Sequence, residues 1–473
     1  MGVARVRRNA LARAAALGVV LSLAPNTAPA ETLLDALSYA YESNPQLNGE
    51  RARLRGTDEN VPQALAGYRP QVSGAASGGV LASKSISNPN AADQSGNSIG
   101  PGSSSTLYQQ SYGVTVTQPV FDGFKTPNAV KQAEAQVRSG RESVRNVGQT
   151  VLLSAATAYM DVLQNQALVE VQQFNVATLG QTLEITRRRY EVGDVTPTDV
   201  AQAEARLSRG LADLNTAETA LAVSRANYAQ VIGMEPRRLT PAAPPEALLP
   251  RTREAALDIG RRENPAVVGA GFDVDTAQYS VKTAEAAFLP TFNIQGSLQR
   301  NYNPDVNTGR TDTASLMGVL NVPIYSGGQD SSKVRQAKAA LAQSRTALDL
   351  ARVQTRAGVL NGWANFEAAR VALTAATAEV RAAEIALAGV RNEARAGQRT
   401  ILDVLNQLQE VVNARSRLIQ AQHDRVVSGY ALLAAIGRLE PKWLGLRVRE
   451  YRPEINYEIV RDKWGGLRTP AGE

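Results

Sequence analysis

The chain has 473 residues, of which 5% are aromatic and 20% charged, with no cysteine and a single histidine. That excludes disulfides, thiolate metal sites and an N-terminal lipidated cysteine, while abundant Ala and long Pro-free stretches suit extended helix bundles with small-residue seams better than a compact enzyme core. The first 30 residues hold four of the 51 basic residues and none of the 44 acidic ones, so without them the net charge falls from +7 to +3, and no block of like charge remains to suggest nucleic acid as a partner.

Residues 1–30 read as a secretory signal peptide: Arg5, Arg7, Arg8 and Arg13 lie around and before an apolar run from Ala14 to Ala24, and Ala28-Pro29-Ala30 supplies a small-x-small cleavage site before Glu31. General secretion fits better than a twin-arginine route, because the residues flanking Arg7-Arg8 match the latter poorly. No later segment has the roughly 18 to 20 uninterrupted apolar residues of a membrane helix. A membrane role therefore requires a β-barrel, the other structure that satisfies its backbone in lipid.

From Glu31 to about Ala66, helical spacing of Leu33, Leu34, Leu37 and Ala40 with an interruption at Asn44-Pro45 predicts helix, break, helix. A parallel stretch runs from Glu254 through Asn264-Pro265 to about Ala287, and both copies reach a proline, Pro70 and Pro290. There the period changes to two. Phe292, Ile294 and Leu298 alternate with Thr291, Asn293, Gln295, Ser297 and Gln299, the pattern of a strand with one apolar face. The first copy, Gln71 to Val80, is richer in Gly and Ser and is assigned as a strand by repeat analogy. Polar loops are expected over Ser83–Tyr108 and Asn301–Asp312. Returning strands follow over Ser111–Val120 and Ser315–Ile324, each about ten residues, long enough to cross a hydrocarbon layer at barrel tilt.

Pro119-Val120-Phe121-Asp122-Gly123 and Pro323-Ile324-Tyr325-Ser326-Gly327 end the two hairpins, and long helices are expected from near Pro127 and Asp330. Each runs about 65 residues, roughly 95 Å as one straight helix. They reach Gly193-Asp194-Val195-Thr196-Pro197-Thr198-Asp199-Val200 and Gly397-Gln398-Arg399-Thr400-Ile401-Leu402-Asp403-Val404, then return to Ile232-Gly233 and Ile436-Gly437. The chain thus reads as a tandem duplication: a first repeat over 31–237 (β-hairpin 70–120, long helical hairpin 127–233), a Pro-rich linker over 238–250, a second repeat over 251–437 (β-hairpin 290–324, long helical hairpin 330–437) and a tail over 438–473. The fold class is mainly α with transmembrane β. Four strands are too few to close a barrel around a channel, so oligomerisation is expected.

Over roughly Glu31 to Gly445, these features resemble the TolC family of outer-membrane efflux and secretion channels. The resemblance rests on the duplication, the paired strands, the Asn-Pro breaks and the tips Tyr190-Glu191-Val192-Gly193 and Gly397-x-Arg399-Thr400-Ile401-x-Asp403-Val404-Leu405. The tail, with Tyr451-x-Pro453 and Tyr457 to Trp464, is similar to alphaproteobacterial members linked to type I secretion. The resemblance implies a homotrimer with a twelve-stranded β-barrel in outer-membrane lipid and a twelve-helix α-barrel through the periplasm. The tips of that tunnel close as a gate and dock a periplasmic adaptor of an inner-membrane transporter.

Thr196-x-x-Asp199 and Thr400-x-x-Asp403 fit helix-start capping boxes, with Pro197 at a first helical position and Gly193 and Gly397 as helix stops. Either the acids only cap helices, or a trimer axis also gathers three Asp403 carboxylates into a cation-favouring constriction. By the resemblance, Asp403 matches one of two aperture aspartates and Asn406 stands at the other. Arg399, Thr198 and Asp199 match the links that hold the tips closed, the family's tyrosine in that set falls on Ala394, and Val192, Gly193, Ala396 and Gly397 match the adaptor-docking tips. Catalysis finds no nucleophile-base set, P-loop or zinc-type His pair, and neither metal nor cofactor is expected. His423 reads as a surface or seam residue, and Asp273-x-Asp275 lacks the rest of a calcium loop. The expected function is a passive outer-membrane conduit for protein secretion or drug efflux; the alternative is a periplasmic coiled-coil scaffold or adaptor without a barrel.

Overall fold

The structure, a computed structural model, describes residues 31–84 and 104–469. The expected signal peptide, most of the first polar loop and the last four residues lie outside the described residues. Helices α1 (Leu33–Ser43), α2 (Pro45–Asp58) and α3 (Asn60–Leu65) lead through a 3-10 turn to strands β1 (Gln71–Lys84) and β2 (Ser104–Phe121). Then come α4 (Lys125–Glu191), α5 (Pro197–Ile232), α6 (Arg253–Glu263) and α7 (Pro265–Glu285), a second hairpin of β3 (Thr291–Asp305) and β4 (Thr308–Asn321), and α8 (Gln329–Arg395) and α9 (Ile401–Ala435). Two short helices, α10 (Pro441–Leu444) and α11 (Pro453–Arg461), close the described chain.

Helices α4 and α8 each have 67 residues, about 100 Å of uninterrupted helix. The returning helices α5 and α9 have only 36 and 35. They are continued by α2 (14 residues) above α5 and α7 (21 residues) above α9, joined end to end at the two Asn-Pro breaks. Pro45 and Pro265 disfavour helical backbone at the preceding residue, and Asn44 and Asn264 are extended, with ψ of 123° and 122°. Each Asn works at both ends of the joint. Asn44 Oδ1 accepts from the backbone of Gln46 at 2.9 Å while its Nδ2 donates to the carbonyl of Val231 at 3.1 Å. Asn264 Oδ1 accepts from Ala266 at 2.9 Å and its Nδ2 donates to Ala435 at 2.9 Å. Gly437, with φ 85°, lets the chain leave α9 against this joint; a Cβ there would stand 2.7 Å from Asn264 Cα.

The main core lies at this level. Leu37, Leu152, Tyr159, Tyr228, Leu432, Leu433 and Ile436 are fully buried there, drawn from α1, α4, α5 and the end of α9. The linker between the repeats is part of it: Leu239 bridges to Glu31, and Tyr159 Oη donates to the carbonyl of Thr240 at 2.7 Å. Pro245 crosses α9 over Gly429, where a Cβ would meet its ring at 2.9 Å. A second, smaller cluster of Leu179, Leu387, Leu405, Leu408 and Val411 holds α4, α8 and α9 together nearer the tips.

The four strands form one antiparallel sheet in the order β1-β2-β3-β4. The register puts Val72 opposite Val116, Val114 opposite Leu298 and Phe292 opposite Leu320, which makes one face apolar. The other face is polar, with cross-strand hydroxyl pairs Ser77–Ser111 at 3.1 Å and Ser297–Ser315 at 2.7 Å. The strands are longer than their hydrophobic pattern predicts. Residues 301–305 and 308–312, expected as loop, are strand: the backbone ladder continues past the apolar band, and Arg300 pairs with Asp312 across it at 2.8 Å. At the other end β4 stops at Asn321 rather than Ile324, because Pro323 has no N–H to donate. Among the described residues, the outer edges of β1 and β4 meet no further strand. No described helix is long and apolar enough to cross a membrane.

Asn264→Ala removes a helix cap and leaves the Ala435 carbonyl without its donor. It should cost about 1–3 kcal/mol, read as an earlier thermal loss of helical circular dichroism in detergent. Gly437→Ala should be at least as damaging; a wild-type melting curve for both would contradict this account of the joint.

Candidate functional site

The tips follow from local rules. At the end of α4, Gly193 takes φ 79°, and the amides of Gly193 and Asp194 turn back to the carbonyls of Tyr190 and Arg189, both at 2.9 Å. At the end of α8, Gly397 takes φ 76°, with Gly397 bonded to Ala394 at 3.2 Å and Gln398 to Glu393 at 2.9 Å. Both are Schellman turns, which need a residue tolerant of left-handed backbone. The following helices start with full capping boxes. Asp199 N–H donates to Thr196 Oγ1 at 3.3 Å while the Asp199 carboxylate accepts from Thr196 N at 2.9 Å; Asp403 and Thr400 repeat this at 3.2 and 3.0 Å.

The caps also set the acids' charge. Hydrogen bonds from Thr196 hold the Asp199 carboxyl below the usual carboxylate range, with Arg189 adding a smaller pull. The Asp403 carboxyl is likewise lowered by the Thr400 backbone and hydroxyl, then by Arg399. Both acids are therefore anions at neutral pH.

Within one chain Arg399 is ion-paired with Glu393 of its own tip at 3.0 Å, and the polar partner of Asp199 is Thr196. The chain does not join Arg399 to Thr198 or Asp199. What it does join is Asn406, whose Oδ1 accepts from Arg206 Nη2 at 2.9 Å, so α9 is tied to α5 two turns above the first tip. Neither Arg206 nor Glu393 lies in a motif that marks it in the sequence. Arg206 is one of several arginines on an Ala- and Leu-rich helix, and nothing local marks its partner 200 residues away. Val192, Gly193, Ala396 and Gly397 stand exposed at the ends of the two hairpins.

Farther from the tips, His423 lies in the seam between α9 and α4. Its Nε2 meets Asp161 and its Nδ1 meets Asp424, each at 2.9 Å. Burial of the ring disfavours the charged form, but the two carboxylate hydrogen bonds outweigh it and the pKa is raised. Among the described residues no group of three or more His, Asp or Glu side chains is placed to hold a metal ion.

An open sheet with one apolar and one polar face, continued by a palisade of roughly 100 Å helices, is the subunit of a membrane channel extended by an α-helical tunnel. The family model described as "Outer membrane efflux protein" matches residues 36–234 and 257–438. The chain is 38% identical over 461 residues to the outer membrane efflux protein BepC of Brucella suis, covering 97% of each, and 28% identical over 418 residues to the outer membrane protein TolC of Vibrio cholerae, covering 87% of this chain and 91% of that one. Its fold is similar to the crystal structure of the outer membrane protein VceC from Vibrio cholerae, with a TM-score of 0.70 at 20% identity over 86% of this chain and 96% of that one. The chain belongs to the outer membrane efflux protein family.

The raised His423 pKa fixes a sign. Stability from the charged ring is fully present below the ordinary His value of about 6.5 and is lost as pH rises through the folded-state value. Denaturation midpoints of wild type and His423→Gln should therefore differ most at acidic pH and converge above neutrality; a gap that widens with pH would contradict an imidazolium held by Asp161 and Asp424.

Proposed function

We propose that three copies of this chain close a twelve-stranded barrel in the outer membrane and a twelve-helix tunnel in the periplasm. The assembly is a passive conduit for type I protein secretion, multidrug efflux or both. The observation that carries this is the open sheet: β1 and β4 each expose a ladder edge of 14 residues, and the sheet's apolar face suits lipid. Pairing β1 of one copy with β4 of the next removes all six edges at once. A barrel-less periplasmic scaffold leaves the apolar sheet face and both edges without a purpose.

In this reading the exposed tip residues Val192, Gly193, Ala396 and Gly397 meet a periplasmic adaptor that couples the conduit to an inner-membrane transporter. Asp403 and Asn406, three residues apart and so on one helix face, narrow the tunnel, with one formal charge per chain. Arg399, Thr198 and Asp199 link neighbouring hairpins in the closed assembly, while Arg206–Asn406 links the two hairpins of one chain. These are exposed or half-exposed contacts of modest strength, which suits a gate that opens by population shift.

Membrane extraction should yield a heat-sensitive trimer that conducts in planar bilayers, whereas a soluble periplasmic monomer would defeat the proposal. In the same bilayers Arg399→Ala should raise single-channel conductance, and an unchanged value would remove Arg399 from the gate. Asp403→Asn should lower the preference for cations over anions without closing the pore. If permeability ratios do not move, the carboxylate only caps its helix.

A further inference from the structure

The tail beyond α10 has no counterpart in the first repeat, yet it is docked. Asn456 Nδ2 donates to Asp58 at 2.7 Å, Glu454 pairs with Arg141 at 3.5 Å, and Val460 is buried while Tyr457 packs on the small cluster of Val61, Ala133 and Val137. This face of α11 lies on α2, α3 and α4; Ile455 and Ile459, one turn apart, stay exposed on another.

After α11 the chain reaches the end of the sheet where β1 begins. Arg69, two residues before β1, donates from Nη1 to the carbonyl of Lys463 at 2.8 Å, and its guanidinium lies 4.8 Å from the centre of the Trp464 ring. Trp464 is nevertheless 75% exposed and Leu467 fully so. They stand at the rim where Tyr68, Phe121, Phe124, Phe288 and Tyr325 are also exposed, the site of an interfacial aromatic girdle in a lipid-embedded barrel. Arg461, Lys463 and Arg468 surround the pair against one acid, Asp462, and Lys463 Nζ donates to the carbonyl of Arg468 at 2.7 Å, folding the segment into a turn.

We propose that Lys463–Arg468 is a membrane-interface anchor: Trp464 and Leu467 enter the headgroup–acyl boundary of the periplasm-facing leaflet, and the surrounding cations contact phospholipid phosphates. Three observations select lipid over a protein partner. The segment is continuous with the barrel's aromatic rim, a bulky aromatic and a bulky aliphatic residue are exposed together on a turn, and the flanking charge is basic. The anchor rests on the barrel reading above and extends it, by tying the base of each subunit to the bilayer through α11.

The test uses the full chain in vesicles of phosphatidylethanolamine and phosphatidylglycerol whose acyl chains are brominated near the carbonyl end. In a Trp363→Phe/Trp443→Phe variant, Trp464 is the sole tryptophan, and its emission should fall about twofold or more relative to unbrominated vesicles, as an interfacial indole requires. Leu467→Glu in that background should recover most of the emission. A Trp363→Phe/Trp464→Phe variant, which reports only Trp443, should be unaffected by bromine. Comparing wild type with Trp464→Phe reads the same difference without altering Trp363. If the protein floats with the vesicles but Trp464 is unquenched, the anchor is wrong and the barrel stands; blue-shifted emission without quenching would place Trp464 against another copy instead. Failure to float overturns both.

Discussion

Where α5 meets α2, and again where α9 meets α7, the carbonyl end of one helix faces the amide end of another inside a packed layer. Those groups have no intrahelical partners and little access to water, so leaving them unpaired would cost about 1–3 kcal/mol each. The head-to-tail arrangement already places the negative end of one helix dipole against the positive end of the next. One asparagine then supplies both an acceptor for the amide end and a donor for the carbonyl end, and the following proline bends the chain so that the new helix can start there. Because the joint holds, α2 continues α5 along α4 and α7 continues α9 along α8, and the helical wall extends past the ends of α5 and α9 without a second 67-residue helix per hairpin.

The joint also gives the molecule a middle. The largest buried side chains collect there, with the linker and the first described residues folded into them, while the sheet and the tips at either end carry little core. That distribution fits the work of each region. In the proposed assembly lipid and neighbouring copies cover the sheet, and the tips change their contacts at low cost. The tips are held by capping boxes, Schellman turns and ion pairs local to each turn, while Arg206–Asn406 joins the hairpins. Local caps keep each hairpin intact; in the proposed gate, links between hairpins are the ones a partner exchanges.

The two copies of the duplicated unit have diverged near their tips. The second tip carries Arg399 and Asn406, and the first carries Asp194, paired with Arg189, and Arg206. The two hairpins of one chain are therefore unequal at their tips, and α11 in the tail adds a further asymmetry by packing on α2, α3 and α4 of the first repeat. Through Arg69 and Trp464 that tail connects the rim of the sheet to the helical middle.

Much of this was readable in the sequence, because the deciding interactions are local. The change of period at Pro70 and Pro290, the Asn-Pro breaks and the Thr-x-x-Asp boxes depend on residues within one turn or one strand of each other. Strand ends were less legible: hydrophobic alternation marks the part of a strand that meets an apolar medium, and the polar residues 301–305 and 308–312 join the ladder through backbone that any side chain permits. The partners of Asn406, His423 and Asn44 required the tertiary structure, whereas Arg399 pairs with Glu393 of its own tip. Each of the three had several candidates of the right chemistry, and only the packing of α5, α9 and α4 brought one within 3.1 Å. Residue order alone sets the elements, their duplication and the caps that end them; which ends meet and which distant polar groups pair follows only from the packed chain, because those contacts join residues separated by 171, 187, 200 and 262 positions, and such separations leave no periodic trace.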